Sequence, residues 1–350
     1  MTDSLTAWEA VGALARLAPS PHNTQPYRLR PRHGRRGSDG MRAPDIDECA
    51  EADIVLVCER LLPDEDPGNA YVLSAFGVFA ACLERAALAL GYAIAVEPCA
   101  EIDGAALRRN GGLLVVGLAT LTSRAVSTAE PRPAEASLLS LRRTSRLPYH
   151  PREVDKTHRR WFADIAKSAG HGWIELSRRE DVDLVLRRNA DAVIDSLQST
   201  PEREEMRGWH RLGRTPAHGD GLWEEPMNQP AWMLDAAFRV PRVFAIEPMR
   251  TLARRRYLQT QRGTPHIAAI CGDFATWSER IAAGRMLFDL WMAMAETDVY
   301  MHPFGSLLTN ARHARWVAQT LGVRDAWLLL RFGYSETPPA APRLASIVMA

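Results

Sequence analysis

The chain has 350 residues, a length that predicts about two domains or one large duplicated unit. Hydrophobic residues make up 46% and charged residues 24% of the sequence, which excludes an intrinsically disordered chain. The 43 basic and 42 acidic residues leave a net charge of +1, which removes any whole-protein argument for a nucleic-acid-binding surface.

The basic residues are almost all arginines. Two of the 43 are lysines, Lys156 and Lys167, which leaves 41 arginines. GC-rich codon usage explains most of this excess, because guanidinium and ammonium groups serve equally well on a solvated surface. Some of the arginines are expected to be placed for bidentate phosphate binding.

Cysteine spacing and apolar runs indicate where the protein resides. The cysteines at positions 49, 58, 82, 99 and 271 form no CxxC pair, which favours reduced thiols over a disulfide framework. The opening residues lack the cationic and apolar regions of a secretory signal. Residues 72–96 are interrupted by Glu84 and Arg85, which favours a core helix and a strand over a membrane span. We therefore expect a cytoplasmic protein without a membrane partner.

Hydrophobic periodicity divides the first half of the chain into alternating elements. The predicted elements are a helix over 5–18, a strand over 27–30, a loop over 31–44, a buried strand over 54–57, a helix over 72–90 and a buried strand over 113–118. Residues 125–136 are rich in Pro, Ala and Ser, which predicts a linker.

The second half repeats a similar series. Its predicted elements are a helix over 155–168, strands over 173–176 and 266–270, a helix over 281–297 and a strand over 326–332. The frame formed by Gly77, Leu83 and Ala86 recurs as Gly284, Leu290 and Ala293, each 207 residues later. The ordered series predicts a duplication, and a fused duplicate shares an interface that is a natural place for a ligand.

One long segment does not fit this repeat. Residues 199–232 are irregular, rich in Pro and Gly, and contain Trp209, Trp223 and Trp232. Long loops in compact domains are usually lids, binding loops or disordered segments. The aromatic residues favour a lid or an interface arm over disorder.

Common nucleotide and metal motifs are missing. The glycines of GRRGSDG have the wrong spacing for a dinucleotide-binding loop, and neither lysine follows a glycine as a Walker loop requires. The sequence has no HExxH or CxxC motif, and its ten histidines are scattered, so no metal site is predicted.

Two polar segments stand out instead. The first, Pro19 to Tyr27, reads PSPHNTQPY and offers hydroxyl and amide groups on a rigid turn; the alternative is a capped turn bonded to its own backbone. The second, Arg142 to Arg146, alternates guanidinium and hydroxyl groups in a pattern that suits an anion. Its alternative is a solvated, Arg-rich helix start.

These segments give the sequence its resemblance to the FMN-dependent nitroreductase superfamily. Ser20, Asn23, Gln25, Pro26 and Tyr27 fit the family loop P-S-x-x-N-x-Q-P-[WY]. Arg142, Thr144 and Arg146 fit its R-[RH]-[ST]-x-[RK] motif, with Tyr149 one residue later than the usual aromatic. Length and motif order are most similar to the Acg-like branch, in which two nitroreductase folds are fused. Asp66 to Ala70 and Phe76 depart from that branch, which leaves the substrate open.

The resemblance implies an α+β, nitroreductase-like fold in which two pseudo-symmetric halves form an intramolecular pseudo-dimer. The halves would be residues 1–124 and 137–350, joined by the 125–136 linker, with 199–232 as a lid-like insertion. Homodimeric family members build each flavin site from the loop of one subunit and the arginine motif of the other. This chain carries the loop only in its first half, because the matching second-half loop is reduced to AGHG. It carries the arginine motif only in its second half. We therefore predict one FMN per chain.

The resemblance also assigns residues to the cofactor. Pro19, Ser20, Asn23 and Gln25 would line the FMN site, with Arg142 and Thr144 at its phosphate and Arg146 near flavin N1 and C2=O. In the turn over 302–305, backbone N–H groups of Phe304 and Gly305 would face flavin N5 and O4. Arg343 would be a further phosphate-binding cation, unless it is an exposed tail arginine. No residue of the protein is expected to be catalytic, because the flavin performs the hydride chemistry.

Three functions remain open. The first is an NAD(P)H-linked oxidoreductase that reduces a nitroaromatic, a quinone or a similar small molecule, or a flavin-dependent dehydrogenase of a biosynthetic intermediate. The second is an FMN-sequestering protein in which the lid and its tryptophans shield the flavin. The third is an apoprotein scaffold that has lost the flavin. The protein is expected to be a monomer or a weak homo-oligomer.

Overall fold

The computed structural model describes residues 2–32, 49–122, 132–213 and 218–349. In the first part of the chain the elements are α1 (Thr2–Ala15), β1 (Tyr27–Pro31), β2 (Cys49–Val57), α2 (Ala70–Ala89), β3 (Ala93–Pro98) and β4 (Leu113–Thr122). Most of the predicted loop over 31–44 lies outside the described residues. The helices and strands predicted for this part of the chain are confirmed, with shifts of a few residues at their ends.

The remainder of the chain adds α3 (Pro133–Leu141), α4 (Lys156–Ser168), β5 (Gly172–Leu176), α5 (Arg179–Gln198), α6 (Thr200–Trp209), α7 (Glu224–Met227), α8 (Ala231–Arg239), α9 (Met249–Thr260), β6 (His266–Cys271), α10 (Trp277–Glu296), β7 (Tyr300–Pro303), α11 (Ser306–Thr309), α12 (Ala311–Leu321) and β8 (Ala326–Gly333). The five elements predicted here are confirmed. Periodicity did not identify α5, α9 or α12.

The strands form two four-stranded sheets with the same order. The first sheet runs β1-β2-β4-β3 and the second runs β5-β6-β8-β7. Neighbouring strands are antiparallel in both sheets. The second strand of each sheet carries a register shift, at Ile54/Val55 in β2 and at Ile270/Cys271 in β6. The two sheets therefore share their strand order and the place of an irregularity.

Helices α2 and α10 pack closely against each other through two glycines. A Cβ atom added to Gly77 would lie 2.1 Å from the carbonyl oxygen of Ile281, and one added to Gly284 would lie 1.9 Å from that of Ser74. Gly77 and Gly284, like Ser74 and Ile281, are 207 residues apart in the sequence. Each helix therefore presents the same position to the other, which is the property of an isologous contact.

Helix α2 is the apolar centre of the first half. The stretch Pro67–Ala89 is long and apolar enough to cross a membrane, yet 83% of its most apolar window is buried inside the protein. Its aromatic residue Phe76 contacts both Tyr27 and Trp277, with ring centroids 5.6 and 5.0 Å apart. This burial is typical of the core helix of a globular protein.

Three sequence interpretations need correction. Residues 133–136 of the predicted linker form the first turn of α3, since Pro133 occupies a favourable first helical position; residues 123–131 lie outside the described part. The segment 199–232 is not irregular throughout, because it contains α6 and α7. His302 and Pro303 end strand β7 and do not form a turn.

Candidate functional site

The loop between α1 and β1 has an unusual backbone. After Ser20 it forms a 3-10 turn over Pro21–Asn23, and the Ser20 hydroxyl accepts a hydrogen bond from the Gln25 amide at 2.8 Å. His22, Asn23 and Gln25 have φ angles of 48°, 53° and 48°. Left-handed conformations are unfavourable for residues with side chains and persist where surrounding contacts hold them. Backbone strain of this kind is concentrated at functional sites, so the loop is a candidate for part of one.

Two distant segments hold the loop through its amide side chains. Asn23 Nδ2 donates to the carbonyl oxygens of Gly221 and Pro342 at 3.1 and 3.0 Å. Gln25 Nε2 donates to the carbonyl of Gly219 at 2.8 Å, while its Oε1 accepts from the Leu344 amide at 3.1 Å. Residues 218–221 and the 342–344 segment are therefore both hydrogen-bonded to the loop, and they adjoin each other, since a Cβ added to Gly219 would lie 2.5 Å from the carbonyl oxygen of Arg343.

Two predicted phosphate-binding arginines meet beneath this loop. Arg142 Nη2 and Arg343 Nη2 both donate to the carbonyl oxygen of Leu17, at 3.1 and 3.2 Å. Arg343 also donates to Asn23 Oδ1. Among the described residues, no carboxylate lies within ion-pair distance of either guanidinium. The tertiary structure thus brings the two motifs together around concentrated positive charge.

Arg142 is the most deeply buried of these cations. Its side chain lies over the Trp291 ring at 4.9 Å, and the residue is 5% exposed. Nε and Nη1 are buried without a hydrogen-bond partner. Burial, reinforced by the nearby Arg343 guanidinium, lowers the pKa of Arg142 to about 9. Buried donors without acceptors are costly, so this arrangement favours an anionic ligand.

Arg146 lies at the other end of the arginine motif. Its guanidinium forms no hydrogen bond or ion pair with the described residues. Burial is the main cause of the lowered pKa values of His22, His210 and His302, and the positive charge of Arg146 lowers each of them further. These histidines come from the loop, the end of α6 and β7. Three imidazoles from separate segments, each neutral near pH 7, therefore lie within the electrostatic influence of one unpaired cation.

Arg331 is a residue that the sequence analysis missed. It is fully buried in β8, and its Nη2 donates to the carbonyl oxygens of Ser145 and Leu147 at 3.1 and 3.0 Å. These carbonyls belong to the two residues that flank Arg146. Arg331 therefore holds the backbone on both sides of Arg146. No sequence signal distinguishes it among 41 arginines.

The arginine motif is extended and does not begin a helix. Arg142 directly follows the last residue of α3, and Thr144 and Ser145 run beside Met301 of β7 through a bridge and a 3.1 Å backbone hydrogen bond. Thr144 Oγ1 has no hydrogen bond within the described chain, whereas the buried Ser145 hydroxyl contacts that of Ser335 at 2.9 Å. The motif therefore lies along the sheet edge that leads to Gly305.

The predicted amide pair differs between its two members. The Phe304 amide donates to the carbonyl of Leu329 at 2.8 Å and is thus engaged in the sheet. Gly305 is exposed, and a Cβ added there would meet nothing within 4 Å. Of the two amides, only that of Gly305 is placed to face a ligand in this conformation.

An acidic pair adjoins the loop. His22 Nε2 lies 3.1 Å from Oε2 of Glu65, and Glu205 Oε2 accepts from the Asp64 and Glu65 amides at 3.1 and 2.8 Å. Burial, together with Glu205 and the other carboxylates nearby, raises the pKa of Glu65 to about 9. Burial lowers the pKa of His22 to about 3. The Glu65 carboxyl group and the His22 imidazole are therefore both uncharged near neutral pH.

The space beside the loop is small in this conformation. A cavity of about 20 Å³ is lined by Pro19, Ser20, Gln25, Tyr27 and Phe79. That volume suits one water molecule. No group of three or more His, Cys, Asp or Glu in the described ranges could hold a metal ion.

Comparison with known proteins gives structural similarities of low score. No protein-family model matches the sequence, and no curated protein has significant similarity to it. The chain is similar to the FMN-dependent nitroreductase NfnB from Mycobacterium smegmatis in complex with NADPH, with 20% identity, 58% of this chain and 88% of that chain covered, and a TM-score of 0.32. It is also similar to a nitroreductase with bound FMN from Bacteroides fragilis, with 9% identity, 60% and 93% coverage, and a TM-score of 0.37. TM-scores of this size carry no argument, so the proposals below rest on the chain's own residues.

Proposed function

We propose that the chain binds one FMN where the loop over Pro19 to Tyr27 meets the arginine motif. The observation that carries this proposal is the convergence of Arg142 and Arg343, without a carboxylate, on one side of the loop. The unpaired Nε and Nη1 of Arg142 supply donors whose chemistry fits a phosphate group. Thr144, with its free hydroxyl, belongs to the same donor set.

Other residues would hold the flavin ring. Arg146 stands as a cation beside neutral imidazoles and suits the electron-rich edge of the ring, where a positive charge favours the reduced, anionic form. The Gly305 amide completes the set, while Ser20, Asn23 and Gln25 would hold the loop in shape beside the ring, because their side chains are hydrogen-bonded within the protein. FMN, when bound, supplies hydride transfer between NAD(P)H and a small-molecule acceptor, and the protein supplies binding, orientation and electrostatics. The function proposed is thus an FMN-dependent oxidoreductase of the nitroreductase type.

The two halves of the chain would form an intramolecular pseudo-dimer, as in the Acg-like branch. The equal strand orders and the reciprocal contacts of Gly77 and Gly284 support this arrangement. The loop and the arginine motif each occur once, so one complete site is formed and its symmetry mate is lost. The protein would then be a cytoplasmic monomer with one flavin.

The absorption spectrum of the purified protein tests the proposal directly. We expect flavin bands and a flavin-to-protein ratio near one after saturation with FMN. A ratio near two would contradict the single site, and a colourless protein that FMN does not stabilise against heat would contradict flavin binding. Rapid bleaching on mixing with NADH or NADPH would identify the reductase, and reoxidation by a quinone or a nitroaromatic would identify the acceptor.

One observation favours a second candidate, an FMN-sequestering protein. Residues 218–221 and the 342–344 segment are hydrogen-bonded over the loop, and the adjoining cavity has about 20 Å³. A cover of this kind would shield the flavin from a donor. Bound FMN that neither NADH nor NADPH reduces would support sequestration over catalysis.

A further inference from the structure

A second cationic region lies outside the proposed flavin site. A groove of about 550 Å³ is lined by Glu59, Arg60, Arg109, Trp209, Arg211 and Asp220, among other residues. It forms where the end of α6 and the 218–221 segment meet the loops that follow β2 and precede β4. Neither of the two sequence motifs contributes a lining residue to it.

Three guanidinium groups converge on one indole ring in this groove. The guanidinium carbons of Arg60, Arg109 and Arg211 lie 5.9, 5.9 and 5.5 Å from the centre of the Trp209 ring. Trp209 is 4% exposed, and its Nε1 is buried without a hydrogen-bond partner. Packing over an aromatic face fixes the guanidinium planes while their N–H groups stay available to an acceptor.

The charges in the groove are only partly compensated. Asp220 accepts from Arg60 at 3.0 Å and from Arg211 at 2.9 Å, so one carboxylate serves two guanidiniums. Arg109 is exposed, and its Nε donates to the backbone carbonyl of Glu59 at 3.0 Å. It forms no ion pair with a described residue, although the exposed Glu59 carboxylate also lines the groove. Counting the side chains named, three cations face two anions.

We propose that this groove binds a phosphate dianion, with Arg109 as the group that pairs with it. A phosphate dianion matches clustered, preoriented guanidiniums better than a monoanionic carboxylate does, because it accepts more charge-assisted hydrogen bonds. Asp220 holds Arg60 and Arg211 in place, and Arg109 supplies exposed donors that form no ion pair with a described residue. The phosphate could come from the 2′-phosphate of NADPH or from free inorganic phosphate. The NADPH source alone rests on the proposed oxidoreductase function.

Isothermal titration calorimetry on the full chain tests the groove with defined probes. Adenosine 2′,5′-bisphosphate, NADPH, NADH and inorganic phosphate would each be titrated into the wild type, Arg109→Gln and Arg108→Gln. Arg108 is the matched control, since it is also exposed and donates only to the carbonyls of Ala105 and Leu107. Loss of a charge-assisted hydrogen bond is expected to weaken binding about 10- to 100-fold in Arg109→Gln, with less than a twofold change in Arg108→Gln.

The probes distinguish the two sources of phosphate. Tighter binding of adenosine 2′,5′-bisphosphate and NADPH than of NADH and inorganic phosphate assigns the groove to the nucleotide. Equal binding of inorganic phosphate and the bisphosphate, both weakened by Arg109→Gln, assigns it to free phosphate. Equal affinity of the Arg109→Gln and Arg108→Gln variants for every probe, or no binding by the wild type, would overturn the proposal.

One added measurement keeps the result interpretable. FMN content is measured on each sample by its visible absorbance. Absence of phosphate binding by the wild type with normal FMN content rejects the groove alone, whereas absence of FMN with phosphate binding that Arg109→Gln weakens rejects the proposed function alone.

Discussion

Arg142 and Arg343 are far apart in the sequence, yet both donate a hydrogen bond to the carbonyl oxygen of Leu17. A single carbonyl thus holds two guanidiniums in a region where no described carboxylate balances them. Like charges held together in a buried place destabilise the ligand-free protein. An anion bound beside the two guanidiniums would remove this destabilisation.

Arg142→Met is expected to weaken FMN binding about 10- to 100-fold, because it removes charge-assisted hydrogen bonds to the phosphate. The ligand-free variant should be as stable as the wild type or more stable by about 1 kcal/mol, because two buried unpaired nitrogen atoms are removed. Fluorescence titration with FMN and urea unfolding measure the two effects. The control is Arg143→Met, which removes a hydrogen bond to Pro338; equal FMN affinity in both variants would place Arg142 outside the site.

Arg146→Ala is expected to lower the flavin reduction potential and to weaken FMN binding by about tenfold. The reason is that Arg146 is the unpaired cation among His22, His210 and His302, and it would stabilise the negative charge of the reduced ring. A redox titration against a reference dye measures the potential, with the exposed Arg160→Ala as control. An unchanged potential and affinity would remove Arg146 from the ring site.

Arg331→Met is expected to destabilise the protein by roughly 2 kcal/mol, because the carbonyls of Ser145 and Leu147 each lose a hydrogen bond while one desolvated charge is removed. Since those carbonyls flank Arg146, FMN affinity should fall as well. Arg331→Lys should restore part of both losses by contacting one carbonyl. Urea unfolding and FMN titration measure the two effects, and the exposed Arg324→Met is the control. Normal FMN affinity in Arg331→Met would show that the hydrogen bonds of Arg331 to Ser145 and Leu147 do not position Arg146.

Gly284→Ala is expected to destabilise the protein by about 1–3 kcal/mol or more, because the new methyl group would lie 1.9 Å from the Ser74 carbonyl oxygen. Gly77→Ala should have a similar effect through Ile281. Gly208 in α6 is the control, since a Cβ there meets nothing within 4 Å, and Gly208→Ala should stabilise by about 1 kcal/mol. Thermal unfolding distinguishes the variants, and a stable Gly284→Ala protein would contradict the close approach of α2 and α10.

Stability is expected to fall as the pH rises from 7 to 9, and Glu65→Gln should reduce that fall. Burial and the neighbouring carboxylates raise the pKa of Glu65 from its ordinary value of 4.5 to about 9. Between these values the folded state keeps a proton that the unfolded state has released, so a rise in pH favours unfolding. The lowered pKa of His22 has the opposite effect, but only below its ordinary value of 6.5. Urea unfolding at several pH values measures the slope; exposed Glu225→Gln should keep the wild-type slope, and the same slope in Glu65→Gln would refute the assignment.

Local patterns in the sequence determined much of the fold. Apolar spacing predicted α2 and α10, and short buried runs predicted β2, β4, β6 and β8, because each of these elements is formed by residues close together in the chain. The ordered series of elements predicted a duplication, and the equal strand orders agree with it. Helices α5 and α12 were not predicted, although both are amphipathic, because they are less apolar overall than α2 and α10.

Identifying the candidate site required both the sequence and the tertiary structure. Sequence motifs identified Arg142, Arg146 and Asn23, because their residue types and order are themselves the signal. Only the tertiary structure revealed that Arg142 has unpaired nitrogen atoms, that Arg331 holds the backbone around Arg146, and that Glu65 lies beside His22. These properties depend on which distant segments approach one another and on which groups lose water, and neither can be read from positions along a chain.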